Sequence, residues 1–432
     1  MIDQFGNPIF REMTLGDIAR SDGHGFVDGP FGSNLPASEY TSSGIPVVRG
    51  CNLSLGIERF CANNYVFVSE ETANRLSRSL CRPDDIIFTK KGTLGQTGIV
   101  PRNEKHKVFL LSSNQMKLSV DTTIAIPLFV YYYFSSPVSR ERIIREAMTT
   151  GVPKINLTYL RQFPILLPPL YIQDRIVDIL SAYEDLIENN TRQIKILEEM
   201  AQLIYREWFV NFRFPGHEQV KMVDSQLGLI PEGWEVKELG EIAQEIRRSV
   251  EPDRVDPNTP YFGLEHLPRK SIALSTWGTA SQVQSTKLAF KKGEILFGKI
   301  RPYFHKVGIA PTDGVCSSDA IVINAIDSKN FPLVLACVSS ENFINHATKT
   351  SQGTKMPRAN WQVLIKYLIA VPPPLLLNSF NDLMQAIIEQ IQIIVFENKN
   401  LRQTRDLLLP KLISGEINLE TLKSPELELW VA

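Results

Sequence analysis

The sequence predicts an α+β chain built from two tandem copies of one domain, each followed by a long helix that pairs with its counterpart. Three observations carry this expectation. The 432 residues exceed what one hydrophobic core usually organises. Segments recur in the same order along the chain, which is the mark of an internal repeat. Two stretches keep an unbroken heptad of mostly apolar residues.

The repeat begins with "MTLGDIA" (13–19), answered by "KELGEIA" (237–243), and "IPVVRGCNL" (45–53), answered by "TPYFGLEHL" (259–267). It continues with "CRPDDIIFTK" (81–90) and "FKKGEILFGK" (290–299), then "GIVP" (98–101) and "GIAP" (308–311). It ends with "GVPKINLTYLRQFPILLPP" (151–169) and "GTKMPRANWQVLIKYLIAVPPP" (353–374), where Pro153, Lys154, Asn156, Leu160 and Pro168 fall on Pro357, Arg358, Asn360, Leu364 and Pro372. "LGDIA" and "LGEIA" read as short helices, and "DDIIF" and "EILF" as strands bounded by turn residues. After each proline run the pattern turns helical.

The first long helix has a seam of Ile176, Leu180, Tyr183, Ile187, Asn190, Ile194, Leu197, Ala201 and Ile204, spaced 4, 3, 4, 3. The second has Met384, Ile387, Ile391, Ile394, Asn398, Leu401, Arg405, Leu408 and Leu412. One asparagine near the middle of each is expected to cost stability and fix register. Each seam implies a rod of about 43 Å. The expected segments are a first domain at 1–173, a long helix at 174–212, a linker at 213–236, a second domain at 237–378, a second helix at 379–415 and a tail at 416–432. A chain stopped before Met384 is expected to keep its first domain folded.

Overall charge is nearly balanced, with 46 basic and 47 acidic residues, and excludes nothing by itself. The helical segment 174–215 carries five basic and eight acidic residues, so the globular parts are weakly positive. Five scattered cysteines without a C-x-x-C pair, and an N-terminus without a signal-peptide pattern, suit the cytoplasm. No apolar run is long enough for a membrane span. "GEILFGKI" (293–300) has Ile300 where a phosphate loop needs Ser or Thr, and its interior reads as strand. No dinucleotide fingerprint, no amino-methyltransferase Asn-Pro-Pro-aromatic run and no metal-ligand spacing among the six histidines is present. No catalytic or metal-binding residue is assigned.

Basic, turn-rich places remain. "FTKKGTLGQTG" (88–98) places Lys90, Lys91 and Thr93 beside glycines, and "FGKIRPYFHKVG" (297–308) places Lys299, Arg301 and Lys306 beside Tyr303 and Phe304. Lys90 with Lys299, Lys91 with Arg301 and Lys154 with Arg358 keep their charge in both copies, as phosphate contacts would. Lys355, Asn156 and Asn360 lie in the same turns. Arg49, Cys51 and Asn52 face Gly263, Glu265 and His266, so base readout could differ between copies there.

Several phrases together resemble the specificity subunit of type I restriction-modification enzymes over nearly the whole chain. They are "GPFGSNL" (29–35), "GIPVVRGCNL" (44–53), "REWFVNFRFPG" (206–216), "LGLIPEGWEVKELGEI" (227–242) and "LLPKLISGEINL" (408–419). The resemblance implies two target-recognition domains separated by two helices that form an antiparallel coiled coil. It also implies double-stranded DNA with a split target as the partner; a rod of about 43 Å, of the order of one duplex turn of about 34–36 Å, then predicts a non-contacted gap of several base pairs between half-sites. Two methyltransferase subunits would bring S-adenosylmethionine and the catalysis, and endonuclease or translocase subunits would join them with Mg²⁺ and ATP. This chain would hold no cofactor. The second copy has "RRSVEPDRVDPNTP" in place of "GPFGSNL", so contacts expected of Ser33 and Asn34 have no counterpart there. The alternatives are a self-contained DNA methyltransferase or nuclease with a diverged site, and a protein-interaction scaffold that makes no DNA contact.

Overall fold

The runs "DDIIF" and "EILF" become inner strands of matching sheets, because their alternating apolar side chains fill a core on either face. In a computed structural model of the chain, residues 10–55, 59–62, 64–102, 105–147 and 151–419 are described. Contacts divide it into two units, Met1–Ile187 with Leu401–Ala432, and Glu188–Asn400.

The first unit holds a four-stranded sheet in the order Phe26–Asp28, Gln115–Leu118, Ile86–Thr89 and Thr97–Ile99. Its second sheet runs Tyr40–Thr41, Val66–Val68, Ile45–Val48, Phe109–Leu111 and Leu80–Cys81, with the third and fourth strands parallel. Arg11–Thr14 pairs with Pro164–Leu167. The aromatic helix Pro127–Ser135 packs its buried Phe129, Tyr131, Tyr132 and Phe134 into the same core.

The second unit repeats this plan. Ala243–Glu245, Ala320–Ala325, Ile295–Gly298 and Val307–Ile309 form its four-stranded sheet, and Glu235–Glu238 pairs with Leu368–Val371. The other sheet runs Arg248–Val250, Lys287–Phe290, Gly314–Cys316, Pro260–Phe262 and Gly278–Thr279, again with one parallel pair. Four strands therefore correspond in the two five-stranded sheets, while the fifth is added at opposite edges. That change falls where "GPFGSNL" gives way to "RRSVEPDRVDPNTP".

The long helices are Leu170–Tyr205, continued by a π-helical turn at Arg206–Val210, and Pro374–Ile413. Each starts before the expected 174 or 379: the second begins on Pro374, since a proline is accepted at the first helical position where its missing N–H is not needed, and the first begins at Leu170, with Gln173 N donating to the Pro169 carbonyl. In the first unit Ile176, Leu180 and Tyr183 share a core with Leu408 and Leu412. In the second unit Ile194 and Ala201 share one with Met384, Ile387, Ile391 and Ile394, and Leu197 and Ile204 pack against it. Leu401 packs on the first unit's core, and Ile187 is buried there. The pairing is antiparallel: Glu184 meets Arg405 at 3.5 Å while Arg175 Nη1 donates to the Leu419 carbonyl at 3.2 Å. Ile179, Ile388, Val395 and Leu409 are buried as well, so the helices are packed beyond a two-position seam.

Three expectations need correction. The "LGDIA" and "LGEIA" segments are a turn and a 3-10 turn at Leu239–Glu241, not α-helices. Their amides donate across the fold instead, Leu15 N to Phe163 O and Leu239 N to Tyr367 O. The segment 213–236 is structured: Met222–Ser225 and Gly228–Pro231 form a hairpin, and Trp234 lies against Phe209, Phe212 and Phe214 with ring centroids 5.3–5.5 Å apart. Aromatic burial of this kind outweighs the local glycine and proline content. The first unit also takes core residues from 401–419, so a chain stopped before Met384 lacks part of that core. The expected tail beyond residue 419 lies outside the described residues.

Each buried leucine or isoleucine of the second helix is worth about 1.5–3 kcal/mol to the first unit. A chain ended after Asn400 is therefore expected to lose amide protection along residues 172–183 in hydrogen exchange, and unchanged protection would contradict this packing.

In the second unit, Phe209 lies 4.6 Å from Phe380 between centroids. Antiparallel counting from that contact puts Asn190 level with Asn398. Both are buried, and Asn190 Nδ2 and Asn398 Oδ1 each lack a hydrogen bond. Changing either asparagine alone to leucine is expected to give up any register it fixes, whereas the double change should exceed both singles in thermal stability by about 1–2 kcal/mol.

Candidate nucleic-acid interface

The basic turns are held by the same backbone hydrogen bonds in each unit. Ile155 N donates to Lys90 O and Ala359 N donates to Lys299 O, while Lys90 N and Lys299 N reach Asn114 O and Asp319 O. Lys90 and Lys299 are therefore equivalent. Lys91 bridges to Lys154, and Ile300 bridges to Arg358, so the equivalent of Lys91 is Ile300. Arg301 corresponds to Gly92, and both have positive φ, +49° and +103°. The expected match of Lys91 with Arg301 is thus displaced by one residue, since a left-handed turn position fixes the register more strongly than side-chain charge does.

In the first unit, Lys90 Nζ lies 3.0 Å from Asp28 Oδ1 and 5.9 Å from the centre of the Phe31 ring. Phe31 is 76% exposed, just ahead of the Gly32–Asn34 turn that carries exposed Ser33 and Asn34. Lys91, Thr93 and Lys154 are also exposed. The structure thus gathers a cationic strip, hydroxyl and amide groups, and an aromatic ring. Phe31 was not among the expected contacts; its signal in the sequence was an aromatic residue inside a glycine-rich turn.

In the second unit, Arg358 Nε lies 3.9 Å from Asp319 and the Lys299 ammonium donates to the Ser318 carbonyl. Arg301 Nη2 reaches the Lys355 carbonyl at 3.5 Å, and its guanidinium lies 5.9 Å from the Phe304 ring centre. Arg269, another residue not expected from the sequence, covers the same ring at 4.1 Å. Tyr303, Lys355 and Arg358 are exposed. Lys306 is instead half-buried and donates to the Leu264 carbonyl, and burial holds its ammonium below the ordinary lysine range.

Five expected base or backbone contacts have local structural work. Asn52 is fully buried; its Oδ1 accepts from Arg49 N at 3.0 Å and its Nδ2 donates to Cys61 O at 2.9 Å. His266 occupies the same place, with Nδ1 accepting from Gly263 N at 2.9 Å. Two residue types divergent in sequence therefore close the same turn, and divergence at this site is not a sign of readout. Asn156 and Asn360 cap the short helices Leu157–Gln162 and Trp361–Leu364, accepting from Tyr159 N and Gln362 N. Arg49 Nη2 donates to the Asn64 carbonyl.

Among the described residues no group of histidine, cysteine and carboxylate side chains is placed to hold a metal, and no helix is long and apolar enough to cross a membrane. What the exposed turns offer is phosphate contact and stacking on aromatic rings.

The model of the type I restriction modification DNA specificity domain matches residues 37–199 and again 231–394. The chain is 24% identical to the type I restriction enzyme MjaIX specificity subunit of Methanocaldococcus jannaschii, over 96% of this chain and 97% of that protein. It is 23% identical to the HindI specificity subunit of Haemophilus influenzae, over 76% and 87%. A crystal structure of a type I restriction-modification S subunit from M. genitalium shares the fold, with a TM-score of 0.58 at 15% identity over 95% of this chain and 98% of that one.

Removing the Asn52 side chain orphans buried donors and acceptors, so Asn52→Ala is expected to cost about 2 kcal/mol or more in thermal denaturation. Asn156→Ala, which loses one helix cap, should cost about 1 kcal/mol. A change of DNA target with no loss of stability in Asn52→Ala would reverse this assignment.

Proposed function

We propose a function from one premise: the chain belongs to the type I restriction modification DNA specificity family. It recognises DNA sequence as a specificity subunit, and the family implies assembly with modification and restriction subunits. On this reading each unit takes one half of a split duplex target. Two methyltransferase subunits bring S-adenosylmethionine and act on adenines extruded from the stack, because chemistry on a base requires its removal from the duplex. Endonuclease or translocase subunits add Mg²⁺ and ATP. This chain supplies no catalytic group, and the complex works in the cytoplasm.

The observation that best supports the reading is the repeated turn built on Lys90 and Lys299, beside which each unit places exposed cations and an aromatic ring: Lys91, Lys154 and Phe31 in the first, Lys355, Arg358 and Phe304 in the second. Phosphate contacts made by such loops position the domain without reading sequence. Sequence choice then belongs to segments whose backbone differs between the copies, 29–41 in the first and 247–259 in the second.

The test is DNA affinity against salt for the chain assembled with its methyltransferase partner. Lys91→Ala with Lys154→Ala is expected to lower affinity evenly across DNA sequences and to reduce the log–log salt slope by about 2. Binding that does not depend on salt would favour a scaffold without DNA contact, and adenine methylation by the isolated chain would favour a self-contained enzyme.

A further inference from the structure

The two units differ in one internal place for a reason the repeat makes visible. Ile99 N donates to Arg59 O in the first unit and Ile309 N donates to Ile272 O in the second, so Arg59 corresponds to Ile272. Ser136 caps the helix Pro137–Glu146 as Ser340 caps Glu341–Lys349, which aligns Tyr132 with Ala336. Arg405 and Ala201 lie at equal distance past the strands Leu368–Val371 and Pro164–Leu167, at matching positions of the two long helices.

In the first unit these three side chains form one cluster. Arg59 Nε lies 2.9 Å from Glu184, its Nη2 donates to the Tyr132 hydroxyl at 2.8 Å, and Arg405 lies 3.5 Å from the same carboxylate. Glu184 is buried beside two guanidinium groups. In the second unit the counterparts are isoleucine and two alanines. All three line a cavity of about 360 Å³, together with Leu335, Met384 and Glu198.

Glu198 is the unusual member. Its Oε1 accepts from Ser271 Oγ at 2.6 Å, Ile272 N at 2.7 Å and Ala273 N at 3.1 Å. Its Oε2 has no protein hydrogen bond, and no cation lies within ion-pair distance of either oxygen among the described residues. Elsewhere in the wall Gln202 Nε2 donates to Ser339 Oγ, and His305 Nε2 lies 2.8 Å from Ser339 O. At the rim Lys270 is paired with Glu341 at 2.7 Å, while Arg206 is exposed. A sheltered carboxylate without a counter-charge is unfavourable, and the cavity falls in the size range of small-molecule sites.

We infer that this cavity binds a small organic cation, an amidine or guanidine on a short apolar or aromatic body. Its charged head pairs with Glu198 Oε2, and its body fills the space that Tyr132 and the arginine stems occupy in the first unit. The cavity takes His305 and Val307 from the segment 297–308, but Lys299 and Arg301 do not line it, and the inference does not rest on the DNA-binding reading.

The test uses the full chain with benzamidine and agmatine as probes, and benzyl alcohol and benzoate as neutral and anionic comparisons, by calorimetry and thermal shift. Saturable one-to-one binding of benzamidine that raises Tm is expected. Glu198→Gln, which can still accept from residues 271–273, should weaken it by about tenfold or more. Ala336→Tyr, which gives the second unit the ring already present in the first, should abolish it. The inference is overturned by the absence of saturable binding for both cations, by equal binding of benzyl alcohol, or by full binding to Ala336→Tyr. If Glu198→Gln does not fold, the comparison compounds and Ala336→Tyr decide.

Discussion

The antiparallel pairing of two long helices is the constraint on which the rest depends, because neither unit completes its core with residues of one repeat alone. The first unit needs the end of the second helix and the residues after it, 401–419, and the second needs residues 188–205 of the first helix. Most of the shared surface is aliphatic, which supplies affinity without direction. Direction comes from polar groups that tolerate few alternatives. Glu184 is buried between Arg59 and Arg405; burial pushes its carboxyl up, to about 7, against the downward pull of the two guanidinium groups. Losing one partner of such a cluster typically costs about 3–5 kcal/mol, while the intact cluster contributes little net stability. It is better understood as a device that admits one packing of domain and helices.

Within that frame the repeat divides into parts that are kept and parts that are free. The four-stranded sheets, the paired strands beside them and the lysine turns share order and hydrogen bonds in both units. The fifth strand of the other sheet changes edge, from Tyr40–Thr41 to Arg248–Val250. A family that must present different sequences with one scaffold has reason to concentrate change there, since a strand at a sheet edge can be gained or lost without disturbing the four that carry the core.

Much of this was legible in the sequence. The repeat, the β-branched strands and the heptads are local or periodic signals, and Ile86–Thr89, Ile295–Gly298 and the helical seams follow from them. What escaped notice depends on contacts between distant residues. Leu15 and Leu239 look like helix starts because their true partners, Phe163 and Tyr367, are far along the chain. The segment around Trp234 looks like a linker because two of the rings it meets, Phe209 and Phe212, lie in what reads as the end of a helix, and the third, Phe214, lies in the apparent linker itself. Arg301 could not be aligned from charge, since the feature it shares with Gly92 is a backbone angle.

The pair Asn52 and His266 shows why comparing two copies is an unsafe guide to recognition on its own. Asparagine and histidine differ in shape, charge and base preference, yet each closes its turn by accepting one backbone hydrogen bond three residues back. Conversely, a cation in a basic loop is not by that fact a phosphate contact: Lys306, whose counterpart in the first unit is Gln96, is turned inward to the Leu264 carbonyl. The criterion that separates the classes is what the side chain already bonds to. Groups whose donors and acceptors are satisfied inside the fold would have to break those bonds to meet DNA, whereas Lys91, Lys154 and the Phe31 ring can do so at little internal cost. By that criterion the proposed contact surface is smaller than the sequence suggested, and it is centred on the turns that follow the strands Ile86–Thr89 and Ile295–Gly298.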